Sequence, residues 1–269
     1  MVVKVGDIAD LLEKRASSHL AEAWDNPGLQ VGSLSQDIRK ILFSLDASEQ
    51  ALQEATKRGA QLLLTHHPLI LAPLRSVISD RYPDMVVIEA AKRGISILSA
   101  HTNLDRALGG INDMLADLFG LLNVEVLEKS NKPHEEGMGL GRIGQLPEAQ
   151  RLSTFIAKIK ADLEVDTVGL VESERSEISR VAVVGGSGGS LIPIAARLGA
   201  HVLVTGDLRH HEALEAKHLG IAVVDAGHFN TERAGFQRFA TRFKEELRVM
   251  NLDVTLEING GERDHIHRY

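Results

Sequence analysis

The stretch IRKILFSLDASEQALQEATKRGAQLLLTHH (residues 38–67) lies without a gap over ISRVAVVGGSGGSLIPIAARLGAHVLVTGD (residues 178–207) when the chain is slid along itself by 140 positions. Ile38 meets Ile178, Ile41 meets Val181, Gly59-Ala60 meets Gly199-Ala200 and Thr65 meets Thr205. Each copy reads as strand, helix and strand: an apolar run, a helix-like segment and a second apolar run. At an offset of 127, just past the next strand, His101-Thr-Asn103-Leu-Asp105-Arg106-Ala107 falls on His228-Phe-Asn230-Thr-Glu232-Arg233-Ala234. Both read His-x-Asn-x-acid-Arg-Ala. A duplication kept only for packing would preserve core positions and let strand ends drift. Here polar residues beyond the strands agree while many helix positions differ, and in open α/β sheets ligands gather outside the carboxyl ends of strands.

Outward from the repeat, GISILSAH (94–101) and GIAVVDAGH (220–228) read as further strands, several of the runs being apolar on both faces. The segments YPDMVVIEAAKRG and HEALEAKHLG read as helices that end, like the repeated ones, in Gly. This rhythm predicts an α/β fold with a largely parallel sheet.

The 269 residues, 43% hydrophobic and 25% charged, suffice for one large domain or two modest ones. A chain of this length buries about 70–75% of its unfolded surface, so a metal is not needed merely to hold it together. The absence of cysteine excludes disulfides, thiolate zinc sites and cysteine nucleophiles. The start, MVVKVGDIADLLEKR, lacks the apolar run of a signal peptide, and no stretch reaches ~18 uninterrupted apolar residues, so a cytoplasmic protein with no membrane partner is expected. A net charge of -7 without a basic stripe argues against nucleic acid as a partner.

The polar strand ends carry His66, His67, Asp105, His228 and Glu232. Strand alternation would point His66 and His67 oppositely, but Pro68 forces a change of direction that lets both converge. An all-nitrogen and oxygen donor set suits two divalent ions of Zn, Mn, Fe, Co or Ni, with a carboxylate bridging them roughly 3.5–4 Å apart. Histidines at strand ends can equally be partly buried polar caps. A His followed four residues later by an acid at two corresponding points, beside a His pair, favours ligation.

WDNPGLQVG (24–32), THHP (65–68), SAHTNLD (99–105), GLGRIG (139–144), TGD (205–207) and GHFNTE (227–232) occur in this order, and together they resemble the NGG-interacting-factor-three-like family, whose members are often labelled GTP cyclohydrolase I type 2 homologues. The resemblance spans nearly the whole chain. It implies two intertwined α/β lobes from an internal duplication, 1–125 and 126–269, each with a mixed, largely parallel sheet flanked by helices. It also implies a dinuclear metal site, a toroidal homohexamer and metal-dependent hydrolysis of a nucleotide such as GTP; a non-catalytic metal-holding scaffold, chaperone or regulator is the alternative. The family's ligands fall on His66, His67, Asp105, His228 and Glu232. The span between 125 and 178 is too short for the domain that some larger members insert.

His101, the counterpart of His228, is a further candidate ligand, the family resemblance favouring instead a role in orienting Asp105 or a water, and either it or Asp207 is expected to shuttle a proton. Asp207, His210 and His211 follow the strand equivalent to that of the His pair, and are expected to face the same cleft or to start a helix capped by Asp207. Gly139-x-Gly141-x-x-Gly144 lacks the surrounding unit of a dinucleotide site and is read as a turn-rich connector. The run from Gly185 to Ser190 follows a strand and opens a helix, which suits either a phosphate or close backbone packing. Trp24, the only tryptophan, stands among turn formers as a wall of the cleft or a subunit contact. His265 and His267 are assigned to a frayed tail.

Overall fold

The computed structural model describes residues 2–130 and 135–266; His267 therefore lies outside the described residues. The chain divides into two compact units, Met1–Ala107 with Gln237–Arg263, and Leu108–Phe236 with Asp264–Tyr269. The first unit runs β1 (Val3–Lys4), α1 (Val5–Arg15), β2 (Gly28–Val31), β3 (Asp37–Ile38), β4 (Lys40–Ser44), α2 (Glu49–Arg58), β5 (Leu62–Thr65), α3 (Asp84–Arg93), β6 (Ser96–Ser99) and α4 (Thr102–Arg106). The second continues with α5 (Ile111–Leu118), β7 (Leu122–Lys129), β8 (Gly139–Arg151), α6 (Leu152–Leu163), β9 (Gly169–Val171), β10 (Glu177–Ser187), α7 (Ile192–Arg197), β11 (Val202–Gly206), α8 (His210–Leu219) and β12 (Ala222–Asp225). Helix α9 (His228–Val249) belongs to the second unit up to Phe236 and to the first from Gln237, after which β13 (Thr255–Ile258) completes the first unit's sheet.

Each unit is a mixed sheet with a parallel centre and helices packed on it. The first sheet is ordered β13-β4-β5-β6-β2, with β13, β4, β5 and β6 parallel and β2 antiparallel at the edge. The second is ordered β7-β8-β10-β11-β12-β9, its parallel core being β10, β11 and β12. Strands β5 and β6 are buried at every position, as parallel strands covered on both faces must be. Ala51, Leu52 and Ala55 of α2 and Val86 and Ala90 of α3 pack on Leu42, Leu63 and Ile97, each buried Leu contributing roughly 1.5–3 kcal/mol over exposure. In the second unit Ile192, Ala195 and Ala216 cover Ala182, Leu203 and Val223 in the same way. The register repeats as well: Ile41 pairs with Leu62 and Leu42 with Leu63, as Val181 pairs with Val202 and Ala182 with Leu203. Helices α2, α3 and α8 end on Gly59, Gly94 and Gly220 in the left-handed conformation, as their sequences predicted.

Two expectations are corrected. A single boundary between 125 and 126 puts residues 237–263 with the second lobe, whereas β13 hydrogen-bonds in parallel to β4, Thr255 opposite Lys40 and Ile258 opposite Phe43, and so belongs to the first sheet. The glycine motif at 139–144 is no connector: it opens β8, a 13-residue strand. A Cβ on Gly139 would come 2.1 Å from the Glu128 carbonyl of the neighbouring strand, so glycine lets β7 and β8 approach. Among the described residues no helix is long and apolar enough to cross a membrane.

Candidate metal centre

In the first unit β5 ends at Thr65, and the next two residues leave the alternation of the strand. The amides of His66 and His67 both donate to the Leu45 carbonyl, at 3.2 and 3.0 Å, while the Thr65 hydroxyl donates to the His67 carbonyl at 2.9 Å. This fold before Pro68 brings the two imidazoles to one side, with ring centroids 5.0 Å apart. His101, which precedes α4, stands 5.1 Å from His66 and 5.6 Å from His67. One ligand nitrogen from each of the three lies within 4.8 Å of the others, a grouping that can hold a metal ion.

Which nitrogen each ring offers is set by its other neighbour. His66 is buried, and its Nδ1 lies 2.8 Å from the Ala100 carbonyl, which can only accept, so the ring proton sits on Nδ1 and the lone pair on Nε2. His67 Nδ1 meets Asp46 Oδ1 at 2.7 Å, and His101 Nδ1 meets Asp25 Oδ1 at 2.8 Å. All three rings are thus tethered at Nδ1 in the manner that orients metal-binding histidines and raises their basicity. Asp105, buried in α4, brings Oδ1 to 3.7 Å from His66 Nε2. Burial alone would raise the Asp25 carboxyl, but hydrogen bonds from His101 and Thr102 and the imidazole's charge outweigh it and hold it at about 2.

In the second unit His228 opens α9 and Glu232 follows one turn later on the same face. His228 Nε2 is 3.0 Å from Glu232 Oε2, and its Nδ1 is 2.8 Å from Asp207 Oδ2. Hydrogen bonding and charge from Glu232, joined by Asp207, outweigh burial and raise the imidazole to about 9. A divalent cation bound between Nε2 and the Glu232 carboxylate would take that proton's place.

Glycines make room for this pair. A Cβ on Gly206 would stand 2.3 Å from the His228 amide nitrogen, and one on Gly186, at φ +67, 2.3 Å from Glu232 Oε1. The equivalent of His66 in the second half therefore cannot carry a side chain, which accounts for the unequal ligand sets. In the run from Gly185 to Ser190 the Gly188 amide donates to Thr205 Oγ1 at 2.8 Å, and a Cβ on Gly189 would lie 2.1 Å from Glu212 Oε2, contacts in keeping with the packing alternative. Asp207 does not cap α8, whose N-cap is Arg209; His210 and His211 are exposed at its start and belong to no metal-holding group among the described residues.

Sequence reasoning missed Asp25, Asp46 and Glu262. Asp46 lies just beyond β4, the position at which the other site residues leave their strands, and that was its one available signal. Glu262 accepts from Ser44 Oγ at 2.7 Å and from the Leu45 and Asp46 amides at 2.8 and 3.2 Å, bracing the turn that carries Asp46.

A model of the Duf34/NIF3 (NGG1p interacting factor 3) family matches residues 3–260. The chain is 34% identical over 245 residues to the GTP cyclohydrolase 1 type 2 homolog of Clostridium perfringens, covering 91% of this chain and 93% of that protein. Among solved structures, a Bacillus cereus protein related to NIF3 matches with a TM-score of 0.93 at 27% identity, covering 100% of both chains. Reduced HcgD from Methanocaldococcus jannaschii matches with a TM-score of 0.79 at 33% identity, over 96% of this chain and 98% of that one.

Proposed function

From the premise that this chain belongs to the Duf34/NIF3 family, we propose that it is a metal-dependent hydrolase whose two divalent ions are held by His66, His67, Asp105, His228 and Glu232. The observation that carries this reading is that every candidate imidazole is held at Nδ1, by Ala100, Asp46 or Asp207, while Nε2 of His66 and of His228 faces the Asp105 and Glu232 carboxylates. The donors are imidazole and carboxylate alone, a set that suits Zn, Mn, Fe, Co or Ni. Five protein ligands over two ions leave coordination positions for water and substrate, as a catalytic site requires.

When bound, such ions supply Lewis acidity and acidify a water toward neutral pH. His101, its Nδ1 engaged by Asp25, keeps Nε2 as a proton acceptor beside His66 and His67 and takes the proton from the attacking water. Asp207 fixes the His228 ring. The substrate proposed is a nucleotide of the GTP kind, in keeping with the name of the Clostridium relative, and the assembly proposed is the homohexamer that the family resemblance implies.

The test is metal analysis of the wild type beside Asp105→Ala and Glu232→Ala, followed by assays with GTP, phosphoesters and amides. Loss of metal in both variants together with loss of turnover supports the proposal. Full metal in both removes its foundation. Loss of metal with no turnover in any of these assays turns the reading to a metal-holding scaffold.

A further inference from the structure

Glu262 is remote from the candidate metal ligands in sequence, yet it closes on the turn from which two of them hang. Beyond the end of β4 at Ser44, the Leu45 and Asp46 amides donate to Glu262 Oε1 at 2.8 and 3.2 Å, and the Ser44 hydroxyl donates to the same oxygen at 2.7 Å. The peptide that joins Leu45 to Asp46 is a rigid plane whose N–H and C=O point in opposite directions. Its N–H goes to Glu262. Its C=O, that of Leu45, accepts from the His66 and His67 amides at 3.2 and 3.0 Å. A single peptide plane thus carries Glu262 on one side and the backbone of both histidines on the other.

The side chain of Asp46 adds a second line of contact: its Oδ1 holds His67 Nδ1 at 2.7 Å, and its amide is one of those that Glu262 fixes. Glu262 is in turn seated by the end of β13. The Asn259 amide donates to the Phe43 carbonyl at 2.8 Å, and the Nδ2 of buried Asn259 donates to Ser44 Oγ at 3.1 Å, which leaves the Ser44 hydroxyl proton for Glu262. All of these residues belong to the first unit. Burial, joined by the charge of Asp46, raises the Glu262 carboxyl above its ordinary value. A glutamate kept there at an electrostatic cost, with three donors converging on it, is a fixed strut.

We propose that Glu262 is a positioning residue of the metal centre, holding the Leu45–Asp46 peptide so that His66 and His67 present Nε2 to a cation. The inference rests on the metal-dependent reading above for what the histidines bind, but the state of the His67 ring can be measured without metal.

The experiment compares the full chain with Glu262→Ala, Glu262→Gln, Asp46→Asn and the Asp46→Asn, Glu262→Ala double variant. Zinc affinity is read by competition with a chelating dye, and nitrogen NMR of the histidine rings in metal-free protein reads the tautomer, with the His67 signals assigned through His67→Gln. Val86→Ala, in the core of α3, is the control for a plain loss of stability. Glu262→Ala is expected to weaken zinc binding roughly tenfold and to convert His67 from its Nδ1–H tautomer to a mixture. Glu262→Gln, which keeps Oε1 as an acceptor, should recover most of both. Because Glu262 acts through the turn that carries Asp46, the two losses overlap, and the double variant falls short of their product. The proposal is overturned if Glu262→Ala keeps the wild-type zinc affinity and tautomer, if the losses simply multiply, or if Val86→Ala weakens zinc binding as much at an equal loss of urea stability. If the wild type binds no zinc, the metal reading falls, and the His67 tautomer alone decides whether Glu262 positions the ring.

Discussion

Gly206 is where the second unit departs from the first, since it takes the place that His66 holds in the repeat. A Cβ at Gly206 would lie 2.3 Å from the His228 amide nitrogen, 2.6 Å from the Gly227 carbonyl carbon and 2.7 Å from His228 Cα. All three are backbone atoms, so no rotamer relieves the clash. The start of α9 would have to retreat by about 1 Å to reach ordinary packing distance, whereas a metal site tolerates ligand displacements of roughly 0.2 Å. Gly206→Ala is therefore expected to cost about 1–3 kcal/mol through overpacking and to release the metal bound through His228 and Glu232. Gly199→Ala is the matched control: at φ +78, with nothing within 4 Å of its Cβ, it incurs only the left-handed backbone cost of about 1–2 kcal/mol and leaves metal binding alone. Urea unfolding and metal analysis of both variants separate the two effects. Wild-type metal content in Gly206→Ala would refute the idea that this glycine exists to seat His228.

Asp46→Asn weakens the Nδ1 tether of His67 and should lower metal affinity roughly 10–100-fold, read by competition with a chelating dye, while unfolding stability changes little. His228 is raised from 6.5 to about 9, so its contribution to the stability of the metal-free protein is full below pH 6.5 and disappears as pH rises through about 9. Because metal must displace that proton, apparent affinity at His228 and Glu232 should fall up to about tenfold for each pH unit below about 9. An affinity independent of pH between these values would contradict the assignment. Arg142 is buried in β8, donates to the Gly139 and Gly141 carbonyls and is held by Asp113 through two contacts of 2.7 Å, so Asp113→Ala, which removes that carboxylate from a buried cation, should destabilise by about 3–5 kcal/mol in urea unfolding.

The sequence by itself determined the elements and the chemistry at their ends. Apolar runs such as LLLT at 62–65 and VLVTG at 202–206 are strands buried on both faces, as central parallel strands are, and a helix stopped by Gly59 or Gly220 can be read from the residue that needs the left-handed conformation. The repeat singled out Asp105, His228 and Glu232 because polar agreement beyond a strand is not a packing signal, and the adjacent histidines before Pro68 added His66 and His67. Tertiary structure alone decided which ring nitrogen each histidine offers: Asp46 reaches His67 across 21 residues, and Asp25 reaches His101 across 76. It also decided that β13 and Glu262, from the far end of the chain, complete the first sheet and brace Asp46. Periodicity records what a residue does within its own element, whereas these contacts depend on chain closures set by how strands order and pair, which no local pattern encodes.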